Sequence, residues 1–206
     1  MAKKRRAGWM NEHVADEFVK RAQVDGYRSR ATYKLIELDE KHRLLRRGMT
    51  VVDLGAAPGG WSQWAARQVG DDGRVLALDR LEMDPVPGVE VLCVDFEEQA
   101  GLDALLAALP EAGADLVLSD MAPNLSGVKA ADQARMASLA ELALDLAGRV
   151  LVDGGAFVAK LFQGSGFDDI VSTARGDFAR VVVRKPEASR SRSREVYIVA
   201  EGFRGR

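Results

Sequence analysis

From Met49 onward, short runs rich in β-branched residues alternate with helix-periodic segments, and most of those runs end at or beside a charged residue. This alternation constrains the fold more than any other feature. Two strands joined through a helix return parallel in one sheet, because the helix spans the crossover. Thr50–Leu54 has a buried-strand pattern, and residues 60–69 a helical one. Arg74–Asp79 and residues 90–95 read as further strands, residues 101–109 as a helix and residues 115–119 as a strand. Residues 131–151 carry the clearest helical pattern, with Leu139, Leu142, Ala143, Leu146 and Val150 at three- and four-residue steps. Gly154 and Gly155 are expected to stop that helix before a strand over 156–162. A short helix near 167–175 then precedes strands over 180–185 and 195–200. Only a loop separates these last two, which predicts an antiparallel pair. The expected class is α/β: an open, mostly parallel, doubly wound sheet with an antiparallel element at one edge.

Ahead of this pattern, residues 9–22 and 29–45 read as helices. Ser29 can cap the second, with Ala31, Leu35, Leu38 and His42 on one face and Arg30, Lys34, Glu37 and Lys41 on another. Residues 1–47 are therefore expected to form a basic helical arm, and residues 48–206 a single globular domain. The net charge of −2 is distributed unevenly. Residues 1–47 hold 13 Lys/Arg against 7 Asp/Glu, residues 48–173 hold 7 against 20, and residues 174–206 hold 9 against 4. Two basic ends around an acidic middle point to a polyanion-contacting face.

Composition excludes several classes. With 47% hydrophobic and 29% charged residues the chain is globular rather than disordered. Cys93 is the single cysteine, so no intrachain disulfide forms. With His13 and His42 the only histidines, no Cys/His zinc cluster is available, and no metal is expected. No apolar run approaches the length of a membrane span. Lys3-Lys4-Arg5-Arg6 leads into Asn11, Glu12, His13 and Asp16 rather than an apolar stretch, so a cytoplasmic protein is expected. Cys93, inside a strand, is expected to be buried and inert, and Trp9 and Trp64 to belong to the core.

Doubly wound sheets bind ligands beyond the carboxyl ends of their strands. After the first strand comes Asp53-Leu54-Gly55-Ala56-Ala57-Pro58-Gly59-Gly60-Trp61; Asp79, Asp95, Asp120 and Lys160 mark the ends of the next four. Any one of them reads as a solvated loop residue, and a tight strand-to-helix turn would use the same glycines. Five together read as a ligand site. The glycine loop is neither a P-loop nor G-x-G-x-x-G, which disfavours pyrophosphate and a nicotinamide dehydrogenase. Asp79 lies 24 residues after Gly55 and suits a ribose diol. A nucleoside without phosphate fits, and S-adenosylmethionine, whose sulfonium is cationic, suits the acidic middle.

The segments Arg28-Ser29-Arg30-Ala31, Val51 to Gln63, Ser119-Asp120-Met121-Ala122-Pro123-Asn124, Lys160-Leu161-Phe162-Gln163-Gly164, Arg184-Lys185-Pro186 and Ser193 to Tyr197 closely resemble the FtsJ (RrmJ, RlmE) family of ribosomal RNA 2′-O-methyltransferases. The resemblance spans nearly the whole chain. It implies a Rossmann-like methyltransferase fold, S-adenosyl-L-methionine as methyl donor, and a uridine 2′-hydroxyl in the peptidyl-transferase region of 23S RNA on the large ribosomal subunit as acceptor. It places a catalytic tetrad on Lys34, Asp120, Lys160 and Glu195. Donor contacts fall on Gly55, Gly59, Gly60, Trp61, Asp79 and Asp95, with Asp120 at the border of both sites; Asp79 would hold the ribose, Asp95 the adenine amino group and Gly59-Gly60-Trp61 the methionine end. Arg28, Arg30, Arg190, Arg192 and Arg194 would contact RNA, and a monomer is expected. Relatives acting on transfer RNA or an RNA cap would share the sheet and tetrad. A ribosome-assembly factor with a dead site is disfavoured by the intact tetrad, and base methylation by the lack of an aromatic beside Asp120.

A 2′-hydroxyl is a weak nucleophile until its proton is removed. A lysine with the ordinary pKa near 10.4 is neutral in only about 0.04% of molecules at pH 7. Desolvation or a second lysine would help and an adjacent carboxylate would oppose. Lys160 is the expected base, Asp120 its positioning partner, and Lys34 and Glu195 orient the ribose. Spacing alone would pair Lys34 with Glu37 on a helix surface.

Overall fold

The computed structural model describes residues 17–124, 126–190 and 193–205. The elements in chain order are α1 (Glu17–Val24), α2 (Thr32–His42), β1 (Thr50–Leu54), α3 (Gly60–Val69), β2 (Arg74–Asp79), β3 (Val89–Cys93), α4 (Gln99–Ala108), β4 (Ala114–Ser119), α5 (Lys129–Val150), β5 (Leu151–Phe162), α6 (Phe167–Asp177), β6 (Phe178–Arg184) and β7 (Glu195–Phe203). They form one seven-stranded sheet of order β3-β2-β1-β4-β5-β7-β6. The pairs from β3 to β5 are parallel. Strand β7 is antiparallel to both β5 and β6. This is the expected α/β architecture, with the antiparallel element at the β7-β6 edge. The strand order reverses at β1, whose neighbours are β2 and β4. No helix among the described residues is long and apolar enough to cross a membrane.

Strand alternation sends neighbouring side chains to opposite faces, so each face builds its own core. Val52, Leu54, Val117, Phe157, Ala159 and Ile198 pack under α4, α5 and α6. Val51, Leu116, Leu118, Val158, Tyr197 and Val199 pack with Leu35 and Leu38 of α2 and Trp61, Ala65 and Val69 of α3. Leu44 and Leu45 belong to this second core. Met49 and Val51, beyond residue 47, share it with them. Full burial of Leu35 and Leu38 alone contributes about 1.5–3 kcal/mol each.

Several local expectations change. The helix expected over 9–22 is described only from Glu17, and Trp9 lies outside the described residues. Helix α5 ends because Leu151 turns extended, at φ −72° and ψ 139°, and the chain enters β5 at once. Gly154 and Gly155 lie inside that strand. There Ala114 pairs with Leu151 but Leu116 already pairs with Ala156, so the β5 side carries extra residues. Gly154, at φ +82°, supplies the left-handed backbone that the irregularity requires. Cys93 is exposed rather than buried, because it ends the edge strand β3. Trp64 is partly buried against the second core and donates its Nε1–H to Asp39 Oδ2 at 3.0 Å.

Candidate active site

The face that carries α2 and α3 also carries the charged groups. Leu116 and Leu118 point to it, and two residues on stands Asp120; Val158 is followed by Lys160 in the same way, and Glu195 and Tyr197 precede Val199. Lys160 and Tyr197 are direct cross-strand partners on β5 and β7. Helix α2 lies over this end of the sheet and brings down Lys34.

The result is a continuous hydrogen-bonded network. Lys160 Nζ lies 2.8 Å from Asp120 Oδ1 and donates to the Asp120 carbonyl at 2.6 Å. Tyr197 Oη donates to the same Oδ1 at 2.5 Å. Lys34 Nζ donates to Tyr197 Oη at 3.1 Å and pairs with Glu195 Oε1 at 2.6 Å. Lys34 is thus a buried member of the site, and Glu37, which spacing would pair with it, pairs instead with Lys41 at 2.6 Å. The Lys34 and Lys160 side chains are only 10% and 8% exposed, so packing holds both ammonium groups in place. Trp61 packs on the Tyr197 ring at a centroid distance of 5.8 Å.

Electrostatics follow from this packing. Burial pushes the Asp120 carboxyl up, but the charges of Lys160 and Lys34 and the Tyr197 hydroxyl more than reverse it, so Asp120 titrates below the usual carboxylate range. Burial, followed by the Asp120 and Glu195 charges, drives the Tyr197 phenol well above its ordinary value, so it stays a donor. Beneath them Asp53 is fully buried and accepts from Ser62 Oγ at 2.6 Å. Burial raises it to about 7 against the Ser62 bond, with Asp120 and Asp79 adding to the rise.

Two clefts flank the network. The first, of about 550 Å³, opens at the β1/β4 switch point and is lined by Gly55, Asp79, Asp95, Glu97 and Asp120, with Leu78, Leu81, Val94, Phe96 and Met121 as apolar walls and Arg80 and Arg135 as its cations. Gly55 is needed there: a Cβ would lie 2.3 Å from Met121 Cγ, on a backbone with φ +70°. Asp79 is oriented by Ala57 N at 3.0 Å and Leu81 N at 2.8 Å, and Asp95 by Glu97 N at 3.0 Å. Each carboxylate keeps lone pairs for a ligand.

The second cleft, of about 470 Å³, is lined by Arg30, Lys34, Ala188, Arg190, Ser193 and Glu195. Arg30 Nη2 donates to the Ala188 carbonyl, and Glu37 Oε2 accepts from Glu187 N at 2.6 Å, so α2 and the β6–β7 loop form its walls. Burial lowers the Arg30 pKa, Arg190 lowers it further, and Glu195 opposes both.

The remaining expected residues sit elsewhere. Gly60 packs against the start of α2 and the residues before it, where a Cβ would lie 2.6 Å from Thr32 Oγ1 and 3.1 Å from Ser29 Cβ. Trp61 is buried and donates to the Ala31 carbonyl at 2.8 Å. Gly59, at φ +100°, faces Arg28 and Val86. None of the three lines the first cleft. Arg28 donates to backbone carbonyls of the loops, Arg194 is exposed, and Arg192 lies outside the described residues. Sequence reading missed Tyr197. The signal was available: it stands two residues beyond Glu195 on one strand, hence on the same face.

Comparison with known proteins places this geometry. A protein of Marinobacter nauticus called ribosomal RNA large subunit methyltransferase E is 60% identical over 196 residues, covering 95% of each chain. A protein of the same name from Pseudomonas paraeruginosa is 60% identical over 197 residues, covering 96% of this chain and 95% of its own. Among solved structures, one described as a ribosomal RNA methyltransferase from Plasmodium falciparum superposes with a TM-score of 0.78 at 30% identity, over 87% of this chain and all of that one. Residues 27–203 match the family described as FtsJ-like methyltransferase. With its α/β sheet, strand-end carboxylates and relatives that align along almost the whole chain, the protein belongs to the FtsJ-like methyltransferase family.

Proposed function

We propose that this protein methylates the ribose 2′-hydroxyl of a uridine in large-subunit ribosomal RNA, using S-adenosylmethionine as donor and acting as a monomer in the cytoplasm on the large-subunit particle. The observation that carries the reading is the Lys34–Tyr197–Asp120–Lys160 network with Glu195, set between a carboxylate-rich cleft and an arginine-lined one. The names of the relatives supply the RNA class.

The first cleft fits the donor chemically. Acidic groups outnumber cations on its lining, which suits a sulfonium, and apolar walls suit a nucleoside. Asp79 would accept from the ribose diol, Asp95 would accept from the adenine amino group, and the Gly55 backbone with Asp120 would border the methionine end. Gly59, Gly60 and Trp61 would support that end from behind. When bound, the donor supplies an electrophilic methyl group.

Arg30, Arg190 and Arg194 hold the acceptor phosphates, with Arg192 on the same loop. Lys34 and Glu195 fix the ribose in the second cleft. Once its ammonium has released a proton to solvent, Lys160 takes the 2′-hydroxyl proton at Nζ, and Asp120 holds Nζ in place through two oxygens. Tyr197, kept protonated, ties Asp120 to Lys34.

The test is incubation with methyl-labelled donor and large subunits that lack the modification, followed by mapping of the labelled nucleotide and atom. Label on a uridine ribose oxygen is expected. Label on a base, or transfer only to transfer RNA or capped RNA, would overturn the assignment.

A further inference from the structure

We propose that Arg28 is a positioning residue for the first cleft, tying together the two loops that shape it, rather than a contact for RNA phosphate. The inference rests on the reading of that cleft as the donor site.

The connection between β2 and β3 is unusual for a doubly wound sheet. Residues 80–88 contain no helix, and Pro85 and Pro87 lack the N–H that could support it. Its first residues, Arg80 and Leu81, line the cleft. The loop therefore has no helical hydrogen bonds of its own to fix its path. Arg28 holds it from outside: Nη1 donates to Asp84 O at 2.5 Å and Nη2 to Pro85 O at 2.6 Å. Nη1 also donates to Pro58 O at 3.1 Å, in the turn that follows β1. Pro58 adjoins Ala57, which lines the cleft and bonds Asp79.

One guanidinium thus bridges the turn after β1 and the loop after β2. Neighbouring contacts hold it there. Arg28 N donates to Gln63 Oε1 at 2.9 Å, and Gln63 Nε2 donates to Gly26 O at 3.2 Å. Gly59 accommodates the side chain: a Cβ would lie 3.1 Å from Arg28 Nη1 and 3.0 Å from Val86 Cγ2. With both Nη1 hydrogens and one on Nη2 engaged, the fork that would grip a phosphate is already committed to backbone. Lysine, a single point donor on a flexible stem, does not reproduce this span.

The experiment compares the parent with Arg28→Lys and Arg28→Ala. Affinity for S-adenosylmethionine is read by calorimetry, and KM for donor and for RNA separately, with RNA affinity followed across salt. Arg28→Ala is expected to weaken donor binding about tenfold, as for lost charge-assisted hydrogen bonds. Arg28→Lys, which preserves charge and folding, should lose about threefold or more. The KM for RNA and the salt slope should stay as in the parent. A parent that binds the donor, with variants that bind it equally well, overturns the inference alone. So does a salt slope reduced by about one with donor affinity intact, the signature of a lost phosphate contact. A parent that does not bind the donor overturns the donor-cleft reading as well.

Discussion

Lys160 and Tyr197 face each other across two strands, and the difference between them is chemical. The lysine side chain is 8% exposed at the rim, whereas the tyrosine is fully buried. Lys160→Ala should lower the single-turnover rate by about 10²–10⁴ with donor and RNA saturating, while donor affinity stays constant. Retention of more than about a tenth of the parent rate would remove the general base. Tyr197→Phe keeps the ring against Trp61 but strips the link between Asp120 and Lys34. It should cost about 1–3 kcal/mol in a denaturant melt and slow transfer about tenfold, with the donor KM little changed. Asp53 answers to pH. Its carboxyl is raised from 3.8 to about 7 in the fold, so between those values the folded chain holds a proton that the unfolded chain has released. Its contribution to stability is full below about pH 4 and is lost as pH rises through about 7. Relative to Asp53→Asn, the parent should therefore lose unfolding free energy between pH 4.5 and 8; parallel curves would show that Asp53 does not titrate in that window. Asp120, held low, works the other way and contributes above its unfolded value.

At the scale of elements, helix α4 meets the loop that borders the first cleft backbone to backbone. A Cβ on Gly101, in its first turn, would lie 2.1 Å from the Asp95 carbonyl oxygen and 3.1 Å from Phe96 Cα. Gly101→Ala should thus push the β3–α4 loop, weaken donor binding severalfold and destabilise by about 1–3 kcal/mol, as for other overpacked sites. Calorimetry and a thermal melt on the same sample read both, and an unchanged donor affinity would detach α4 from the site. Helix α2 shows why existence was easier to read than role. Its apolar stripe, including Leu35 and Leu38, announces a helix with one buried face. That Lys34 turns inward depends on β7 passing beneath it with Glu195 and Tyr197.

Across the whole molecule, charge separates the two clefts: carboxylates dominate one, arginines and a lysine the other. RNA binding should fall steeply with salt, while donor binding changes little. Arg190→Ala should reduce the steepness by about one, as measured by filter binding over a salt series, and leave donor affinity intact. An unchanged slope would take the β6–β7 loop off the phosphate path.

Periodicity by itself determined the α/β class, the run of parallel strands and the antiparallel pair at the edge, because burial on a two-residue or 3.6-residue period is written locally. The strand-end positions of Asp79, Asp95, Asp120 and Lys160 were legible for the same reason, and the family motifs pointed to Lys34 and Glu195 beside them. Tertiary structure alone decided what those residues touch. Lys34 and Glu195 are 161 positions apart and meet at 2.6 Å only because α2 lies over β7. Gly59, Gly60 and Trp61 pack against the start of α2 and the residues before it, since a glycine permits close approach without saying to what. Cys93 is exposed because β3 is the sheet edge, and strand order is set by long-range pairing that no local pattern records.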